Sequence, residues 1–117
     1  MIYHPERLIG VHPKLKKIIE ELGKHLNFLV VCGFRNEIDQ NKAFREGRSK
    51  AKWGQSAHNF TPCKAVDIIP YNGGNKIDWE DDECMRNIRA HLEDLATKAG
   101  IKLKPVISWD KNHHEMV

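Results

Sequence analysis

Three residues in this sequence have the types and positions to hold a catalytic metal: His58, Asp67 and His113. Zinc in a hydrolytic site usually takes three protein ligands and keeps a fourth position open for water. His58 and Asp67 come from one stretch, Ser56-Ala57-His58-Asn59-Phe60-Thr61-Pro62-Cys63-Lys64-Ala65-Val66-Asp67-Ile68-Ile69-Pro70. It begins as a polar loop and ends as an apolar strand, whose β-branched Val66, Ile68 and Ile69 suit a half-buried position before Pro70 closes it. An aspartate inside such a strand must be solvated, paired or bound to a metal, because an unpaired buried carboxylate is very costly. Asp67 is therefore read as a working residue. His113 lies in a second polar cluster, Trp109-Asp110-Lys111-Asn112-His113-His114-Glu115. A single histidine among the seven is more often a surface or core side chain. It is the joint pattern, Ser-x-His, Ala-x-Asp and Asp-x-x-His, that points to a metal.

The elements that must bring these clusters together follow from periodicity. His12-Pro13 opens a helix in which Leu15, Ile18, Ile19, Leu22 and Leu26 recur at helical spacing, with an end expected near His25. Phe28-Leu29-Val30-Val31-Cys32 is a short apolar run that reads as a buried strand. Gly33-Phe34-Arg35-Asn36 makes a turn, and Asn36 is placed to cap a helix over residues 37–46 with Ile38, Ala43 and Phe44 inward. Tyr71-Asn72-Gly73-Gly74-Asn75 is a turn after the central strand. Asp78 is placed to cap a helix over residues 79–99, whose stripe is Met85, Ile88, Leu92, Leu95, Ala96 and Ala99. Further strands are expected at residues 105–109 and 115–117. The order predicts an α+β fold, a small mainly antiparallel sheet covered by helices.

A chain of 117 residues is long enough for one domain with one modest core. Three scattered cysteines without a CxxC pair exclude a disulfide framework and a cysteine-only zinc knuckle, so they read as reduced thiols. No stretch approaches a transmembrane length, and the N-terminal residues lack the basic and apolar regions of a signal peptide. The net charge of +3 suits polyanionic surroundings such as a cell wall or a nucleic acid without choosing between them.

Three blocks resemble a known family. They are Gly33-Phe34-Arg35 with Gln40 downstream, Ser56-x-His58 with Ala65-Val66-Asp67-Ile68, and Asp110-x-x-His113-x-Glu115. In this order they are similar to the zinc peptidases of peptidoglycan with a hedgehog-type fold, which include D-Ala-D-Ala carboxypeptidases and the L-alanyl-D-glutamate endopeptidases of phage endolysins. One departure is visible. His58 and Asp67 are nine positions apart where the family commonly has seven and a glycine, and Thr61-Pro62-Cys63-Lys64 fills the difference.

The resemblance implies that residues 1–117 form a zinc peptidase domain with His58, Asp67 and His113 as ligands of Zn2+. His113 is preferred to His114 on physical grounds too, since neighbours in an extended segment point to opposite faces. The resemblance makes Asp110 the general base that activates water, with orientation of a ligand as its other reading and Glu115 in reserve for either role. It makes Arg35 a group that holds substrate or the developing oxyanion, and Ser56 a residue that bonds substrate or caps its loop. Gln40 would support the arginine turn. Trp53 and Trp109 are assigned to the core by default, with a groove for the peptide stem as their other reading, and Arg45, Arg48, Lys50 and Lys52 to a solvated face that, if functional, would attract an anionic wall. The expected activity is L-alanyl-D-glutamate cleavage of the peptidoglycan peptide stem by a monomeric phage endolysin. Such a protein is made in the cytoplasm and acts on the wall after holin-mediated release, with no nucleic acid as partner. The alternatives are a D-Ala-D-Ala carboxypeptidase, a non-catalytic zinc-binding wall module and a metal-dependent nuclease.

Overall fold

The computed structural model describes residues 1–74 and 82–117. In chain order they form β1 (Ile2–Tyr3), α1 (Pro13–Leu22), β2 (Phe28–Cys32), α2 (Glu37–Arg45), β3 (Ala65–Pro70), α3 (Asp82–Lys98) and β4 (His113–Glu115). Short 3-10 turns occupy Pro5–Leu8 and Ala57–Asn59. The sheet order is β1-β2-β3-β4; β1 runs parallel to β2, and the other two pairings are antiparallel. This is the α+β arrangement that the sequence predicts.

Alternation along the strands separates the two faces of the sheet. Phe28, Val30, Val66 and Ile68 join Leu15, Ile18, Ile19 and Leu22 of α1 and Ile88, Leu92 and Ala96 of α3 in the main core. Leu29 and Ile69 face the other way, with Tyr3, Val31 and Tyr71. Asp67 therefore projects from the face opposite the α1–α3 layer. A register shift between Val30 and Cys32 in β2 brings Cys32 opposite Asp67, so that both project from that face.

Several boundaries differ from expectation, each for a local reason. Helix α1 starts with His12, whose imidazole accepts the Lys14 N–H at 3.1 Å, but it stops at Leu22 instead of running to His25. Gly23 caps it because the Ile2 side chain of β1 occupies the space a Cβ would need. Asn36 caps α2 by accepting the Asp39 N–H at 2.8 Å, yet the helix turns Gln40 and Ala43 inward. Ile38 is 78% exposed and Phe44 is exposed, against expectation. In α3, Met85, Ile88, Leu92 and Ala96 are buried as expected, while Ala99 lies exposed beyond the helix end. The expected cap Asp78 and residues 79–81 lie outside the described residues.

The strand expected at residues 105–109 does not form. That segment makes only the isolated bridge Ile107↔Asp110, where Asp110 N–H closes a turn on the Ile107 carbonyl at 3.0 Å, and a second bridge, Leu103↔Met116, lies before it. The last strand begins two residues earlier than expected, at His113, because His113 and His114 pair with Asp67 and Val66.

Candidate metal centre

Two histidines flank the carboxylate of Asp67. His58 Nε2 lies 3.3 Å from Asp67 Oδ2, and His113 Nδ1 lies 2.9 Å from Asp67 Oδ1. Their ring centroids are 5.2 Å apart in an edge-to-face contact, but among the described residues the donor atoms that all lie within 4.8 Å of one another belong to His58, Asp67 and Cys32, so His113 must move towards His58 to share one ion with it. In each ring the other nitrogen is anchored outside this cluster. His58 Nδ1–H donates to the Gly33 carbonyl at 2.8 Å, which makes Nε2 the nitrogen turned to Asp67 and the one that would bind a metal once its proton is displaced. His113 Nε2–H donates to Glu115 Oε1 at 3.0 Å, which leaves Nδ1 on the same carboxylate. An outer acceptor that fixes tautomer and ring orientation is what metal-ligating histidines ordinarily have. The donor chemistry fits zinc.

The elements explain these positions. Ser56 caps the turn that carries His58: its Oγ accepts the His58 N–H at 3.2 Å, in a capping box closed by Asn59. The extra residues between His58 and Asp67 pair with the N-terminal segment, Cys63 N–H on Gly10 O at 2.8 Å and His12 N–H on Cys63 O at 2.7 Å. The insertion is thus absorbed away from Asp67. Alternation in β4 separates its histidines as expected. His114 points into the core, where its Nδ1 accepts from Arg89 Nη1 at 3.1 Å. Burial and the Arg89 charge push its pKa down to about 3, so it stays neutral.

Burial disfavours charge on every member of the Asp67 cluster, and the ion pairs outweigh it. For His58, burial opposes protonation, but the hydrogen bond to Asp67 and contacts with Cys32 and Cys63 push the pKa up to about 12. For Asp67, burial opposes ionisation, but His113 and His58 hold the carboxyl well below its ordinary range. His113 is raised against burial by Asp67 and Glu115. Asp110 is different. Burial first, and then the Asp67 charge, raise its carboxyl, and it bonds no other described side chain. It lines an open cleft of about 520 Å³ with Trp109, Lys111 and Asp82.

Arg35 stands on the turn after β2. Its backbone N–H donates to His58 O at 2.7 Å, and its Nη1 donates to Gln40 Oε1 at 3.1 Å. Gln40 is fully buried; Asn59 Nδ2 also donates to its Oε1, and its Nε2 donates to Ala51 O and Ser49 Oγ. The supporting role expected of Gln40 is its observed geometry. Glu115 is committed to His113 and, through Oε2, to Lys104 at 2.6 Å. The tryptophans depart from the core default: Trp109 is 80% exposed beside Asp110, and Trp53 is also exposed.

Two residues escaped the sequence reading. Asn59 ties the arginine turn to the histidine turn, donating to Arg35 O at 3.2 Å; the Ser56-x-x-Asn59 spacing was its available signal. Cys32 is the second. Its Sγ lies within 4.8 Å of donor atoms of both His58 and Asp67.

The sequence model of the phage L-alanyl-D-glutamate peptidases matches residues 4–116. This chain belongs to that family. It is 30% identical over 108 residues to the L-alanyl-D-glutamate peptidase of Escherichia phage T5, covering 90% of this chain and 77% of that one. The crystal structure of the Serratia marcescens L-Ala D-Glu endopeptidase ChiX superposes with a TM-score of 0.78 at 25% identity. That match covers 100% of this chain and 90% of the other. Membership in a peptidase family sets the nuclease alternative aside, and the chain is an enzyme of the peptidoglycan-peptidase class.

Proposed function

We propose that this chain is a zinc-dependent endopeptidase that hydrolyses the L-alanyl-D-glutamate bond of peptidoglycan stem peptides as a phage endolysin. The observation that carries the metal reading is the pair of histidines, each anchored by one nitrogen and turned to Asp67 with the other. His58 Nε2, His113 Nδ1 and Asp67 would hold the ion. When bound, zinc supplies Lewis acidity and makes a water acidic enough to attack at neutral pH. Asp110 takes a proton from the attacking water as its oxygen bonds to the alanyl carbonyl carbon. When the C–N bond breaks, Asp110 returns that proton to the departing glutamyl nitrogen. Its raised carboxyl pKa keeps it a better base than an ordinary aspartate. Arg35, steadied by Gln40, stabilises the charge that develops on the carbonyl oxygen. The Ser56 hydroxyl, whose oxygen caps His58, still has its hydrogen to donate to the peptide. No helix among the described residues is long and apolar enough to cross a membrane; release to the wall through a holin is part of the same proposal.

Digestion of purified peptidoglycan by the zinc-loaded protein, followed by mass spectrometry, tests this reading. New L-alanine C-termini and D-glutamate N-termini are expected, with the rate reduced about 10²–10⁴-fold in Asp110→Asn. Release of single D-alanine would reassign the bond to the carboxypeptidase type. A zinc-loaded protein that yields no products would overturn the zinc-dependent endopeptidase reading.

A further inference from the structure

Cys32 completes a row across three strands. In antiparallel pairs, directly opposed residues project from the same face. Cys32 of β2 pairs with Asp67 of β3, and Asp67 pairs with His113 of β4, so the three side chains stand side by side beneath His58. The register shift between Val30 and Cys32 is what turns the thiol to this face. Its sulfur, a His58 nitrogen and an Asp67 oxygen lie within 4.8 Å of one another. The Cys32 Sγ already contacts the His58 ring, and it also makes one weak bond, donating to the Gly33 carbonyl at 3.4 Å. Little is lost when that bond is given up, because a thiol is a poor donor.

We propose that Cys32 is a fourth protein donor to the metal held by His58, Asp67 and His113, so that the resting centre carries a thiolate in the position that the attacking water takes over when the substrate binds. The inference rests on the metal centre proposed above and adds a ligand to it. A nucleophilic cysteine is the other use of a thiol beside histidine and aspartate, and the geometry disfavours it. His58 Nδ1 is committed to Gly33 O and Nε2 to Asp67, so neither nitrogen is free to take the thiol proton. As a ligand, Cys32 loses its Sγ–H proton to solvent when the metal–sulfur bond forms. Zinc–sulfur bonds of about 2.3 Å are compatible with this spacing after a small side-chain rotation. The sulfur also makes the centre softer, favouring zinc, cobalt and cadmium over magnesium, calcium and manganese.

Cobalt(II) substitution of the full chain reads the ligand directly, since a cobalt–thiolate bond adds a charge-transfer absorption in the near ultraviolet. The expected result is one bound cobalt with that band in the unmodified protein and in Cys63→Ala. In Cys32→Ser, whose side chain is nearly isosteric, cobalt should still bind while the band disappears. Bound cobalt without the band in the unmodified protein would overturn the Cys32 ligand and leave the three-residue centre standing. A band lost in Cys63→Ala but kept in Cys32→Ser would equally overturn it. Failure of the unmodified protein to bind cobalt or zinc would overturn the metal centre and the thiolate together.

Discussion

At the scale of single residues, a carboxylate between two imidazoles traps protons as readily as it recruits a metal. Burial works against the charged form of His58, but Asp67, and to a lesser degree Cys32 and Cys63, hold its pKa far above the ordinary value of about 6.5. A metal must displace that proton, so protons and metal compete. Raising the pH favours the metal for as long as His58 is protonated in the metal-free protein. Because His58 stays protonated across the whole neutral range, zinc affinity should rise at least about tenfold per pH unit between roughly pH 6 and 9. His113, also raised, adds to the slope while the pH lies below its own pKa. Competition titrations against a chelator at several pH values measure this. A plateau above about pH 7.5 would show that His58 titrates like a free histidine, outside the grip of Asp67.

At the scale of elements, the turn between β2 and α2 holds the site more than any helix does. The Gly33 carbonyl anchors His58 Nδ1, and the next residues carry Arg35. A Cβ at Gly33 would press on the Arg7 carbonyl and come within 2.8 Å of Val11 Cγ2. Gly33→Ala should therefore cost about 1–3 kcal/mol in urea unfolding, as overpacking does. By displacing the carbonyl that orients His58, it should also weaken zinc binding roughly 10–100-fold. Unchanged affinity in a folded variant would show that His58 does not depend on that carbonyl. The turn was legible in the sequence because glycine, aromatic and arginine stand together after an apolar run; β2 was legible for its unbroken apolar character, and β3 for the β-branched residues around Asp67. What stayed hidden depended on partners distant in sequence. The shift that turns Cys32 towards Asp67 arises from pairing with β3, which the β2 residues do not encode. Segment 105–109 looks like a strand by composition, but β4 pairs with β3 and leaves that segment only the isolated bridge Ile107↔Asp110. Ile38 and Phe44 look like core residues, but Gln40 has more bonds to satisfy inside.

At the scale of the whole molecule, the donors sit on a turn and neighbouring strands far apart in sequence, and β4 is the weakest of these supports. It is a three-residue edge strand hydrogen-bonded within the sheet to β3 alone. A metal bridging His58 and Asp67 to His113 would staple that edge to the sheet, and the unfolded chain has no preformed site to compete for the ion. Binding free energy is then folding free energy. At free zinc about one hundred times the dissociation constant, the gain is about 2.7 kcal/mol. For a chain of this size each kcal/mol is worth roughly 4 °C, so Tm should rise by about 10 °C over the chelated protein. Calorimetry measures the shift, and amide exchange locates it. Protection should increase most at His113–Glu115 and least in α1, whose buried face packs in the main core away from the metal. Equal Tm values with and without zinc would mean that the three donors do not share one ion. A shift without added protection in β4 would mean that the ion binds but His113 is not among its ligands.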